Sequence, residues 1–572
     1  MTAPDLRTRV RGGSLTLRLI VAALAMLFAI HDAIAQIPGG ILPGREREQL
    51  LDQRTLPRAR PGGPAISLPT TEAPAGAAQM TLTIRSIQIT GSTVYTFEQL
   101  APIYRDMLNR QVTLDAVYDI AKRITAKYGA DGYVLSRAVV PPQELAPGGA
   151  TVRIQVVEGY VSRVEWPREK LARYRDFFTD YTAKIVGDRP ANIRTLERYL
   201  LLANDLPGLR FTTTLQASKT EQGASVMIVD VTEKRYEFNG RIDNRGTQAR
   251  GPYQYLASPT FNNLTGTHEA ITLAYGGVTQ FQELQFFSGN YRHVANSEGL
   301  TGFINATYST GRPGTDVLRA LDYRTRTTTL EVGMYSPLIR SRERNLTLTG
   351  LTFLTDSYSF INLTDPGAFQ EDRLRGLRAR VDADAADRFN GINQASFTVS
   401  QGFQGFGSTQ NGNPLATRTF GKVDFTKLEL SLNRLQPLFG QVSALVSGYG
   451  QWAANPLLAS EQCGYGGRVF GRAYDPSELL GDHCWMASGE LQYDWQSKLP
   501  RVPDAQFYVY SDVGQVFTIV PAVGTAETTA ASAGGGVRLK WQNVVAIDLS
   551  AAKAIEGPRD DWRFFFITSI RH

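Results

Sequence analysis

The sequence predicts α+β modules, two of β-α-α-β-β order, followed by an all-β transmembrane barrel of about 16 antiparallel strands. Three observations carry this reading. The N-terminus bears an export signal, no later apolar run is long enough for a membrane helix, and near Tyr236 helical periodicity gives way to sustained two-residue alternation.

Arginines up to Arg18 precede the apolar run "LIVAALAMLFAI" and then "AIA" before Gln36, which is the pattern of a signal peptide over residues 1–35. The alternative is a first transmembrane helix, but about a dozen apolar residues fall short of the roughly 20 that span a bilayer. A helical membrane protein is therefore excluded, leaving a soluble exported protein or a β-barrel. Lys and Arg number 60 against 54 Asp and Glu, and the two signs are interspersed without a long basic tract, so no nucleic-acid partner is read from the charge.

Residues 36–80 form a linker rich in Pro, Gly and Ala. Within it "GREREQLLDQR", residues 44–54, alternates charge at helical spacing. It is either a solvated segment or a short polar helix, and a helix of that length needs a docking site, which would have to be polar.

The first module spans 81–160. "TLTIRSIQITG" alternates as a strand, and "TFEQLAPIYRDML" opens a helix with Thr96 as N-cap and Gln99 at the capping-box position. Leu114, Val117, Tyr118, Ala121, Ile124 and Tyr128 draw an apolar helical stripe, and "GYVLSRAVVPP" and "ATVRIQVVEGYV" read as strands. The second module, 161–235, repeats the order: strand "VSRVEW", helices over "KLARYRDFFTDYTAKI" and "IRTLERYLLLAND", strands "LRFTTTLQAS" and "ASVMIVDVTEK".

From residue 236 to 572 the chain reads as short alternating strands. Leu330, Val332 and Met334 oppose Thr329, Glu331 and Gly333, and Val537, Leu539 and Trp541 oppose Arg538, Lys540 and Gln542. A soluble β-sandwich shows the same alternation, but its domains usually end near about 100 residues, whereas this pattern runs to the last residue without a compositional break. In a barrel the apolar face meets lipid and the polar face a wet lumen. The only two cysteines, Cys463 and Cys484, share one loop, and an oxidising compartment favours their bridging over two free thiols. Two cysteines and five scattered histidines suggest no metal centre, and no cofactor is implied.

Signal peptide, linker helix, paired modules and barrel, in that order, resemble the outer-membrane transporters of two-partner secretion, the haemolysin-activator type with two POTRA domains, over essentially the whole mature chain. The most specific stretch is "GRAYDPSELLGDHCWMASGEL". In that family a long loop between two late strands folds into the lumen and carries a Val-Arg-Gly-Tyr or -Phe tetrad, then acids, a "GD" pair and an "EL" opening the next strand. The resemblance places that loop near 461–486, with Gly471, Arg472, Ala473 and Tyr474 at the tetrad, Asp475 as the first of the acids, Gly481 and Asp482 as the pair, and Glu490 and Leu491 starting the strand. Ala473 stands where the family has glycine and takes φ > 0 less cheaply, so the left-handed turn is expected at Gly471.

The family's arginine meets an aspartate in an F-x-D-x-G stretch of the inner wall. "YVYSDVGQVF" supplies Asp512 and Gly514, with Tyr510 at the aromatic position. Strand parity puts Tyr508, Tyr510, Asp512 and Gly514 on the lumenal face, where an arginine fork gives a directional contact that lysine cannot. A Cys463–Cys484 bridge would then close the loop's base, restricting the unfolded chain by roughly 3 kcal/mol.

The resemblance implies further that residues 44–54 are a plug in the lumen and that the modules sit in the periplasm of a bacterial cell. The expected partners are an exoprotein unfolded in transit and captured by strand addition, outer-membrane lipid, and the barrel-assembly machinery, which recognises a terminal aromatic where this chain has His572. An assembly factor for other barrels shares the architecture and is the alternative; two modules and a plug-like helix favour the exporter. No P-loop, G-x-S-x-G or HExxH pattern points to an enzyme, so transport would draw on cargo folding outside.

Overall fold

The computed structural model describes residues 41–51, 59, 72–146, 149–361, 367–497, 503–521, 523–542 and 544–572; the expected signal peptide lies outside them. The first module is a four-stranded sheet with Thr81–Thr90 and Ala150–Val157 paired in parallel at its centre. The helix Leu114–Ala130 buries Val117, Ile120, Ala121, Ile124 and Tyr128 against it, so Ile120 rather than Tyr118 completes the apolar stripe. Gln111–Thr113 adds an edge strand that the periodicity did not announce, and only Arg137–Val139 of "GYVLSRAVVPP" forms a strand. The Thr96–Gln99 capping box is present, but the α-helix it starts covers only Phe97–Leu100 and tightens into 3₁₀ turns at Pro102, which has no N–H to give the preceding turn.

The second module has the sheet order Tyr160–Glu165, Ala224–Glu233, Leu209–Ala217, with Leu209–Ala217 at an edge. The helix expected across "KLARYRDFFTDYTAKI" is two pieces, Arg168–Leu171 and Phe178–Gly187. Asp176 breaks it by accepting hydrogen bonds from the Phe178 and Thr179 amides at 2.8 and 3.1 Å, which starts a new helix instead of continuing the old one. This module is clamped to the barrel. Arg340 donates from two nitrogens to Asp205, at 2.7 and 2.9 Å, and Glu298 accepts from Arg198 and from the Tyr199 hydroxyl, both at 2.9 Å.

From Tyr236 onward sixteen antiparallel strands close into a barrel. The alternation means what the sequence suggested: Leu330, Val332 and Met334 face outward and are exposed, while Glu331 between them is only 4% exposed in the lumen. Closure is short. The last strand, Trp562–Arg571, pairs with the first, Tyr236–Asp243, over five positions only. Beyond the ladder Asn244 extends the seam, its side chain donating to the Phe564 carbonyl and accepting from the Phe566 amide. At the module end the His572 and Phe238 backbones exchange hydrogen bonds at 2.9 and 3.0 Å. Trp562, Phe564 and Ile570 are exposed on the outer face and Phe565 is buried inside, the alternation a wall between lipid and lumen imposes.

Two expectations follow. Removing Arg571 and His572 deletes the pairing that finishes the seam, so the fraction of heat-modifiable barrel recovered from membranes should fall; full recovery would count against a role for the terminus. In the first module, burial opposes ionisation of Glu158, but hydrogen bonds from the Thr93 hydroxyl and amide, the Val94 amide and the Tyr128 hydroxyl outweigh it and hold the carboxyl below the usual glutamate range. A depressed folded value stabilises fully above the unfolded pKa of about 4.3 and is lost as pH falls through the folded value. Glu158→Gln should therefore speed exchange of the Thr93 and Val94 amides at pH 7 by about tenfold and flatten their acid dependence, as hydrogen-exchange mass spectrometry of the full chain would show.

Candidate functional site

The eleventh barrel strand, Val442–Ala453, and the twelfth, His483–Trp495, are joined at the end away from the modules by residues 454–482, which fold back into the lumen. The expected limits of 461–486 shift accordingly. Residues 483–486 already alternate within the strand, with Cys484 and Met486 inward and Trp485 outward, and the turn-rich "GDHC" conceals that alternation in the sequence. For the same reason Glu490 and Leu491 lie mid-strand and do not open it.

The loop's stem is a hairpin of Cys463–Tyr465 against Leu479–Gly481, and Cys463 is disulfide-bonded to Cys484 of the wall. Asp482 seals the base. It is fully buried and accepts from the Leu457 and Ile519 amides at 2.7 and 2.8 Å and from Arg418 at 3.0 Å. Gly481 lets the stem touch the wall, since a Cβ there would lie 2.7 Å from the Phe517 nitrogen. Asp482 is therefore an anchor of the base and takes no part in the arginine cluster at the tip.

At the tip Arg472 is 4% exposed and Asp512 fully buried. The Arg472 amide and Nε donate to Asp512 Oδ2 at 3.0 Å each, and Nη2 donates to Oδ1 at 2.8 Å. Nη1 donates to Glu490 and Nη2 also to Ser488, while the guanidinium carbon lies 3.3 Å from the centre of the Tyr510 ring. Ser488 donates to Asp512 Oδ1 at 2.7 Å, and Arg538 balances Glu490 at 2.7 Å. Buried charges are tolerable only when paired this fully; deleting one partner of such a set typically costs about 3–5 kcal/mol.

Two glycines make the approach possible. Gly471 has φ +66°, so the left-handed turn sits there and Ala473 is packed out of contact with solvent. A Cβ on Gly471 or on Gly514 would lie 2.5 or 2.6 Å from opposite edges of the Tyr465 ring, which is wedged between them. Tyr474 donates to the Glu556 carbonyl, and Asp475 pairs with Arg563 at 2.7 Å and Arg559 at 3.3 Å. The loop thereby spans the seam from inside: Arg563 of the last strand donates to the Ala473 carbonyl at 3.0 Å, while Arg468 of the loop pairs with Asp243 of the first strand at 2.6 Å.

The linker segment occupies the lumen beside this loop. Its helix covers Glu46–Leu50; residues 52–54 of the expected span lie outside the described residues. Glu46 pairs with buried Arg250 at 2.8 Å, Arg47 with Glu331 at 2.7 Å, and Arg45 donates to the Gln462 carbonyl at 2.7 Å and to Ser477 at 3.1 Å, both in the loop. The docking is not wholly polar, as the charge pattern suggested. Leu50 is completely buried against Val278, Leu284 and Phe286, one turn along the same face from Glu46, so that face carries a charge at one end and an apolar side chain at the other. Sequence reasoning also missed Glu461, which accepts from Arg378 at 2.7 Å and pairs with Lys427 at 2.9 Å, along with Arg245, which donates to the Arg472 carbonyl at 2.7 Å. Isolated charges at lumenal parity on Lys427 and Arg378 were the available signal.

The geometry is that of a lumen filled by a helix and a loop, and the chain as a whole is similar to known proteins. The family described as haemolysin secretion/activation protein ShlB/FhaC/HecB matches residues 222–539, and a POTRA domain of the ShlB type matches 82–159. The heme/hemopexin transporter protein HuxB of Haemophilus influenzae (strain 86-028NP) is 26% identical over 259 residues, 44% of this chain and 45% of that protein. The match thus spans under half of that relative's length. The outer membrane transporter CdiB of Dickeya dadantii (strain 3937) is 24% identical over 474 residues, 79% of each chain. The solved structure of CdiB from Escherichia coli superposes with a TM-score of 0.69 at 20% identity, covering 93% of this chain and 96% of that one, and so shares the fold. The barrel belongs in the outer membrane, with its modules in the periplasm and the loop descending from the extracellular side. The chain belongs to the haemolysin secretion/activation protein ShlB/FhaC/HecB family.

Proposed function

We propose that this chain secretes a large partner exoprotein across the outer membrane through its own lumen, and that its periplasmic modules receive the cargo unfolded. The observation that carries this reading is how the lumen is closed. Helix Glu46–Leu50 and the tip of loop 454–482 are held to the wall by ion pairs and hydrogen bonds together with apolar contacts at Leu50, Tyr465, Ala473 and Tyr474, while the disulfide fixes the loop's base. Ion pairs in a dry core are costly to separate, but here each charge regains water as the lumen opens, so the net cost of leaving is small. Such a plug can be displaced and can return. Family membership favours secretion over the assembly of other barrels.

Cargo capture follows from the sheet edges. In Leu209–Ala217 the outward backbone groups of Phe211 are already taken by Asn204, which accepts from its amide at 2.8 Å and donates to its carbonyl at 3.3 Å. The edge beyond it, toward Ala217, is suited to an added strand, with main-chain bonds that make little demand on cargo sequence. The arginine cluster keeps the loop aimed down the lumen, and the disulfide holds its base so that it moves as one body.

Arg472→Ala leaves Asp512 without its main partner and Glu490 with Arg538 alone. Exoprotein in the medium should fall at least about tenfold, the equivalent of 1.4 kcal/mol, while heat-modifiable barrel stays in the membrane; Asp512→Ala should match it, and the double variant should be little worse than either. Unchanged export would sink the role given to the pair. Deleting residues 44–54 should raise single-channel conductance in planar bilayers, and equal conductance with and without the segment would reduce it to a tether.

A further inference from the structure

Above the lipid-facing band, four neighbouring arginines point out of the barrel instead of into it. On the sixth barrel strand, Tyr323–Arg340, Arg324 and Arg326 share the parity of exposed Leu330, Val332 and Met334. Across the next strand, Arg344–Ile361, their partners are Phe360 and Tyr358. On the eighth, Ala368–Ala386, Arg373 and Arg375 share the parity of exposed Leu377 and Val381, whereas Asp372 and Leu374 are buried inward. The registers Arg326↔Tyr358↔Glu371 and Thr328↔Asp356↔Arg373 put all of them on one outward patch.

The arginines lie toward the extracellular ends of their strands, with Arg373 in register with Thr328 and Arg375 in register with Leu330. Exposed apolar residues on the sixth strand run from Leu330 to Leu338, about 26 Å of extended chain, which at a strand tilt of about 35–45° covers about 20 Å of the apolar band's roughly 25 Å height. Arg326 lies four residues beyond Leu330 toward the extracellular end, about 13 Å along the strand. That is the level of lipid headgroups.

Three acids share the surface and orient the arginines. Asp322 accepts from Arg324 at 3.2 and 2.7 Å, Glu371 accepts from Arg373, and Asp356 accepts from Arg375 at 2.7 Å. Arg326 instead lies over the Tyr358 and Phe360 rings, 4.9 and 5.6 Å from their centres. Arg375 is spent on positioning, since its Nε donates to the Phe406 carbonyl at 3.2 Å. Phe406 stands between Gly405 and Gly407 at φ +51° and is 90% exposed, so an aromatic ring is thrust from the loop beside the arginines.

We propose that this outward patch, with Arg324, Arg326 and Arg373 as donors and Phe406 beside them, binds the phosphorylated headgroup of an outer-leaflet glycolipid. Guanidinium forks match phosphate oxygens, and aromatic rings suit the boundary between headgroup and acyl chain. Cargo in transit passes on the other side of the wall, so the patch serves the membrane. This rests on the outer-membrane placement of the barrel.

The test refolds the full chain into phosphatidylcholine vesicles doped with diphosphorylated lipid A or with its dephosphorylated form. Heat-dependent gel mobility scores the barrel itself, independently of lipid. Lipid that stays with the extracted barrel is then quantified. Wild type should retain the phosphorylated form selectively, and Arg324→Gln/Arg326→Gln/Arg373→Gln should lower retention by about tenfold or more with gel mobility unchanged. Phe406→Ser, which leaves every arginine in place, should lower it less. Equal retention by the triple variant, equal retention of the dephosphorylated lipid, or complete displacement by millimolar inorganic phosphate would each overturn the assignment.

Discussion

The interior of this barrel is organised around one buried guanidinium. Arg472 spends its side chain on Asp512, Glu490 and Ser488 and lies on the Tyr510 ring, and Asp512 has no other ion-pair partner among the described residues. The surrounding residue choices follow from getting it there. Gly471 turns the chain, Gly514 and Gly471 leave room for Tyr465, Ala473 fits where a larger residue would not, and Asp482 and the disulfide fix the base from which the tip reaches.

The same loop compensates for a weakness in the fold. The seam between the first and last strands is the shortest ladder of the barrel, and backbone pairing alone makes it the natural place for the wall to part. Contacts from Arg468 to Asp243 on one side, and from Arg563 to Ala473 and Asp475 on the other, hold the two edges from within. A loop that moves away from the lumen therefore weakens the seam as well, which ties transport through the pore to the mechanical state of the wall.

The N-terminal helix obeys a different constraint. With five residues it has no independent stability, and it is helical because the lumen supplies partners for its charges and a pocket for Leu50. Arg45 bonds to the loop at Gln462 and Ser477, so helix and loop share contacts and their occupancies are energetically linked.

The amino-acid pattern alone determined the order of the modules, the existence of the barrel and the parity of its strands, because a wall with lipid on one side and water on the other imposes a two-residue period that needs no tertiary information. The Arg472–Asp512 pairing was legible only through the resemblance of the two motifs to a known family, with strand parity placing Asp512 on the lumenal face. What periodicity could not show was anything set by the meeting of distant segments. Glu461 with Arg378 and Lys427, Arg245 on the Arg472 carbonyl, and Arg45 on the loop are charges whose partners lie far away in the chain. The break at Asp176, the strand start at His483 and the outward arginines above the lipid band were likewise decided by tertiary structure. A local hydrogen bond outweighed helical periodicity in the first case, turn-forming residues concealed the alternation in the second, and in the third the height of each residue relative to the membrane exists only once the strands are in register.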